Sequence, residues 1–259
     1  MDKFMKRSIL FLIIALFLFA ACTEHRIVSR WKDRDIIIDG IDNEWQGARY
    51  LIDKKNITIG VMNDESSLYI RLSTHNKVLQ SMIAEQGMSV VFEAPREKGK
   101  LITVKYPVGN SQSEPDSLAS DEGFDMKKIS SDIAESLKSG HITIKKGDIS
   151  QALSLSEAAD EGIECRMAVE GGQLVYELRM PINSSASKLA EIDAPPGESI
   201  EIEIKIEEAS RLKKQKDEYA RNNKDANNRL TRRGSRRPPS IGKFSKAIAF
   251  WIKIDLAEK

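Results

Sequence analysis

Between Glu164 and Met180 the chain reads ECRMAVE, then Gly-Gly, then QLVYELRM. Two alternating runs joined by two glycines leave little freedom. A two-residue loop wants backbone angles with positive φ, which glycine adopts without steric penalty. It also fixes the register of the flanking strands. Val169 must then face Leu174, Met167 face Tyr176, and Cys165 face Leu178. On the other side Arg166 faces Glu177 and Glu164 faces Arg179. One face is apolar and the other carries two opposite-charge pairs, each worth about 0.2–1 kcal/mol. A slip of one residue would invert both faces. This spacing predicts a half-buried antiparallel hairpin with Cys165 in the interior and inert.

The same period of two recurs along the chain. It appears at Ile57, Ile59 and Val61, then at Leu68, Ile70 and Leu72, with turn chemistry at Asn63–Ser67 between them. It returns at Met88, Val90 and Phe92, and at Ile102, Val104 and Tyr106, with Pro95 and Pro107 closing these runs. It returns again at Ile200–Ile206 and at Ile248, Phe250, Ile252, Ile254 and Leu256. That last phasing leaves Trp251 on the opposite face, beside Ala249 and Lys253. Strands of this kind must bury one face against a second sheet. The expected fold class is all-β, an antiparallel β-sandwich with one short helix, at Ile129, Ile133 and Leu137 before Gly140, and a long basic loop insertion. Residues 35–259 form one domain with insertions near 108–140 and 209–245. Between Arg211 and Arg237 eleven Lys and Arg, among them Arg229, Arg232, Arg233, Arg236 and Arg237, stand against three acids. Such a loop is either a solvated surface or a contact for an anionic envelope surface or an acidic partner.

The first residues are not fold. Lys3, Lys6 and Arg7 precede an apolar run from Ile9 to Phe19, which ends at Ala20-Ala21-Cys22. The run is short for a membrane span and reads as an export signal over 1–21. The small-small-Cys ending resembles a bacterial lipobox, with Phe19 in place of the usual Leu; the resemblance implies acylation of Cys22 and anchoring in a bacterial cell envelope. The competing reading is an ordinary signal with an incidental cysteine. Thr23 after Cys22 points to the outer membrane, periplasmic or surface-facing. Residues 22–34 read as a polar tether, with Trp31 as a first core contact or an interface anchor. A net charge of +1 gives no reason to expect nucleic acid. The two cysteines and three histidines have no metal-site spacing. No GxSxG, HExxH or P-loop occurs, so the chain does not read as an enzyme, and no cofactor is expected.

Four pieces in order, IIIDGIDNEWQGA (36–48), VMNDESSLYIRL (61–72), LVYELRMPI (174–182) and AFWIKIDL (249–256), resemble the family 9 carbohydrate-binding modules and their DOMON-like relatives. The resemblance implies a sandwich and a saccharide site lined by exposed aromatics. Trp251 and Trp45 are the candidates, although Trp45 belongs to the shared opening motif and equally suits packing. Asp39, Asp42, Glu44 and Asp64 either bind an ion or cap turns, and turn capping is favoured. Some DOMON-like relatives hold haem, for which Met62, Met88, Met167 and His75 would be the axial ligands; core filling is the competing reading. The function implied is a lipid-anchored, non-catalytic, saccharide-binding lipoprotein. The alternative is an envelope interaction or assembly protein that uses the fold without sugar.

Overall fold

The computed structural model describes residues 25–41, 43–96, 99–108, 131, 133–134, 137, 140–183, 189–208 and 247–259. Cys22, Asp42, the signal sequence, the five loop arginines and most of both insertions lie outside these residues.

Two sheets face each other. One has seven strands in the order β1 (His25–Val28), β13 (Ile248–Asp255), β12 (Ser199–Ile206), β6 (Ser89–Glu93), β7 (Leu101–Lys105), β8 (His141–Lys146) and β9 (Ile149–Ser154). The other has six: β10 (Glu164–Glu170), β11 (Gln173–Pro181), β5 (Ser67–Thr74), β4 (Ile57–Asn63), and then β2 (Arg30–Trp31) and β3 (Arg49–Ile52), which share the remaining edge of β4. Neighbours are antiparallel except β1 with β13 and β2 with β4. Ile59, Val61, Ile70 and Leu178 from one sheet meet Val90, Phe92, Ile202 and Ile252 from the other in one continuous core. The protein is an all-β sandwich.

The glycine hairpin has the expected register throughout, from Glu164↔Arg179 to Val169↔Leu174. Gly171 and Gly172 both have positive φ, 55° and 80°. Cys165 is 1% exposed, and burial pushes its thiol pKa well up, which disfavours the reactive thiolate.

Residues 22–34 are not simply a tether, because β1 and β2 lie within them. Ile27 is buried in the core. The chain runs along the edge of the first sheet, then steps to the second at Ser29. Ser29 N donates to Asp255 O at 2.9 Å, and Lys32 N donates to Asn63 O at 2.8 Å. A buried knot holds the step. The Ser29 hydroxyl donates to Asn63 Oδ1. Ala257 N donates to both Ser29 Oγ (2.8 Å) and Asn63 Oδ1 (2.9 Å), and Asn63 Nδ2 returns a bond to Ala257 O (3.0 Å). The motif HRIV is too short to show a period, and its partner lies at the other end of the chain.

The single expected helix also needs correction. Ile133 and Leu137 are helical, with Ile133 in the core and Leu137 packed against it. Among the described residues two further α-helices are present: α1 (Lys77–Gln86) and α2 (Leu155–Asp160). Asn76 caps α1 by accepting from Leu79 N, and Gly87 follows its end with φ 78°. Leu79 and Ile83 close one end of the sandwich against Ile57, Leu174 and Ile206, around a cavity of about 10 Å³. That is room for about one water.

Candidate functional site

The outer face of the six-stranded sheet is covered by the chain's own 36–48 segment. Ile38, Trp45 and Ala48 pack on Met62 and Tyr69 as a second small core, with Ile36 against it. Glu177 of β11 holds the segment down. Its Oε2 accepts from Asp39 N (3.0 Å) and Gly40 N (2.7 Å), and its Oε1 accepts from Trp45 Nε1 (2.6 Å). Burial raises the Glu177 pKa, and the three donors offset only part of that effect. Arg71 lies opposite Glu177 in the ladder and is also buried. The close approach depends on glycines: a Cβ on Gly60 would come within 2.8 Å of Trp45 Cε3.

Two expectations change here. Trp45 is 0% exposed, so it has no face to offer a sugar; its role is packing and a hydrogen bond. Of the two cross-strand charge pairs, Arg179–Glu164 forms at 2.8 Å. Arg166 instead donates to Cys165 O, because the Glu177 carboxylate is spent on the covering segment.

Turn capping accounts for Asp64 and Asp39. Asp64 Oδ1 accepts from Ser66 N (2.9 Å) and Ser67 N (2.8 Å), and its Oδ2 accepts from the Tyr69 hydroxyl (3.1 Å) and faces Lys32 Nζ (3.3 Å). Asp39 Oδ1 accepts from Ile41 N at 2.8 Å. Glu44 is half-buried in the turn before Trp45. The candidate haem ligands are not brought together. Met62 sits under Trp45, Met88 and Met167 lie in the inter-sheet core, and His75 is exposed.

The outer face of the seven-stranded sheet is different. Phe250, Ile252 and Ile254 of β13 point inward, and Trp251 points out, 37% exposed. In register across the sheet, Trp251 is followed by Glu203, Val91, Thr103 and Lys145. Lys253 and Glu201 form the adjacent pair. Glu203 is only 8% exposed, and Lys205 Nζ reaches its Oε2 at 2.7 Å. Val91, next in line, is 3% exposed, so the middle of this face is covered, and what it offers a ligand is the indole with Lys253 and Glu201 beside it. The phase of Trp251 is legible in the chain. Its polar neighbours are not, because they join it only once β12 is known to lie beside β13, and β6 beside β12.

No protein-family model matches the chain, and neither does any curated protein. Among solved structures, the chain is similar to a family 9 carbohydrate-binding module from Caldicellulosiruptor kristjanssonii. In its glucose complex the identity is 13%, over 71% of this chain and 78% of that one, with a TM-score of 0.37. In its cellotriose complex the identity is 10%, over 90% and 94%, with a TM-score of 0.41. At these scores the likeness has no bearing on what binds here. The sandwich stands on its own sheets and register.

Chemically, the exposed indole suits a ligand with one apolar side and a rim of hydroxyls. The ring supplies area, and Glu201 and Lys253 beside it, both half-buried, supply an acceptor and a donor.

Proposed function

We propose that this protein is a lipid-anchored, non-catalytic binding protein of a bacterial cell envelope, whose exposed Trp251 takes a saccharide. One observation carries the reading: a tryptophan stands exposed on a sheet face, in line with a fixed carboxylate, while the opposite sheet is covered. A pyranose has a C–H face to lie on the indole and hydroxyls to meet Glu201 and Lys253 beside it. The anchor is the acylated Cys22, and the outer membrane is the proposed location. Isothermal titration of the chain from Thr23 against envelope and plant oligosaccharides tests the saccharide reading. Binding lost in Trp251→Ala, with the fold intact by circular dichroism, supports it. Silence across the panel removes it.

The second reading is an interaction or assembly lipoprotein without sugar. It is favoured by the burial of Trp45, which leaves Trp251 without that partner as a clamp. The basic segment including Arg229, Arg232, Arg233, Arg236 and Arg237 would then meet anionic lipid or an acidic protein. Unchanged vesicle binding and co-purifying partners after deletion of 211–237 would count against it.

A further inference from the structure

The N-terminal strand changes how far the domain can stand from a membrane. A tether over residues 22–34 would let the sandwich sit up to about 40 Å from the acylated thiol. The first strand instead begins at His25. Only three residue steps separate it from Cys22, and they span at most about 11 Å. The headgroup layer of one leaflet is itself about 5–8 Å deep.

The register says which surface comes down. His25 pairs with Ile252 and Arg26 with Lys253, in parallel. The start of β1 is therefore level with the residue after Trp251. Ile206 pairs with Ile248, so the link between β12 and β13 also leaves and re-enters the sheet at this end. On the outer face at this end stand Ala249 and Trp251; Lys253 and Arg26 lie further along, with Arg26 Nε paired to Asp255 Oδ2 at 2.6 Å. Glu203 faces Trp251 and Glu201 faces Lys253, so it is the exposed indole, and not a net positive charge, that suits a membrane–water interface.

We propose that the end of the seven-stranded sheet where β13 begins, four residues beyond the level of His25, faces the phospholipid bilayer that holds Cys22, with Ala249 and Trp251 nearest the headgroups. This rests on acylation of Cys22 and not on saccharide binding, so either can fail without the other. If both hold, the sugars that reach Trp251 most readily are those carried in the headgroup layer.

The test uses the full chain, processed and acylated in a bacterium, purified in detergent and returned to vesicles of phosphatidylethanolamine and phosphatidylglycerol. Cys165 is buried, so a nitroxide can be placed at one chosen site. Ala249→Cys lies at the anchored end. Glu65→Cys lies in the turn beside Asn63, which bonds Ala257 at the far end of the strands, about 25 Å further along at roughly 3.4 Å per residue. The expected result is that the Ala249→Cys probe gains contact with lipid-dissolved oxygen on reconstitution and loses contact with an aqueous nickel chelate, while the Glu65→Cys probe does not change. In a second measurement, brominated lipids quench tryptophan emission in the unlabelled protein, and Trp251→Phe abolishes most of that quenching. Equal aqueous exposure of both probes, quenching unaltered by Trp251→Phe, or an N-terminal peptide whose mass lacks acyl chains would each overturn the proposal.

Discussion

Trp45 and Trp251 have opposite roles although both were candidates for stacking. Trp45 donates to a buried carboxylate. Replacing it with Phe leaves Glu177 Oε1 facing a gap in the covering segment. Hydrogen bonds to charged groups are worth about 1.5–3 kcal/mol, so Trp45→Phe should destabilise by that order, read as a lower urea midpoint. Trp251→Phe, on an exposed face, should stay within about 0.5 kcal/mol of the parent. Equal effects of the two substitutions would show that Trp45 is not the structural one. Asp64 gives a pH signature. Burial raises its pKa, but the amides of Ser66 and Ser67, Lys32 and the Tyr69 hydroxyl outweigh this and hold it below the ordinary value of 3.8. A depressed carboxylate stabilises above its unfolded pKa, and that stabilisation fades as pH falls through the lower folded value. Acidification from pH 5 towards pH 2 should therefore weaken the parent more than Asp64→Asn, which keeps an oxygen for the turn amides but carries no charge. Parallel loss in the two proteins, followed by urea unfolding, would remove Asp64 as a cause. The chain signals both residues as turn or motif positions, but it cannot show that Glu177 lies beneath Trp45. These residues are 132 apart, and no local pattern links them.

At the scale of elements, what could be read is what is local. The β10–β11 hairpin carries its own instructions in the two glycines and the alternation on either side, and its register matches residue for residue. Cys165 follows from that register. A thiol reagent should leave it unmodified in the native protein and react fully in denaturant; rapid native labelling would mean that the hairpin opens or that Cys165 faces water. Helix α1 was illegible for a physical reason. Its buried side includes Gln80, Ser81 and Glu85, which interrupt the apolar stripe at Leu79, Met82 and Ile83. Gln80 is buried because its amide Nε2 donates to Thr74 O and Gly172 O, both at 2.9 Å. Such a contact makes sense only when β5 and the hairpin loop are already beside the helix. The same holds around Trp251, which phase alone exposes, while pairing alone supplies its neighbours Glu203 and Glu201.

For the whole molecule, the decisive element is the first seven described residues, which belong to both sheets. If residues 22–34 were only a leash, a chain beginning at Asp35 would fold as well as one beginning at Thr23. The structure requires the opposite. Removing β1 takes Ile27 from the core, a side chain whose burial is worth about 1.5–3 kcal/mol. It also takes Ser29 from the knot with Asn63 and Ala257, leaving the Asn63 amide oxygen and Ala257 N with one partner fewer. More than stability is at stake, because β13 would lose its covering strand. Its exposed edge would then present unpaired amides and carbonyls along an Ile- and Phe-rich strand, a template for pairing with another chain. The shorter chain should therefore melt lower and self-associate, as read by thermal unfolding and by size-exclusion chromatography with light scattering. The longer one should remain a single species under the same conditions. Identical melting and elution would mean that β1 adds nothing to the sandwich, and the close approach to the bilayer would lose its basis with it.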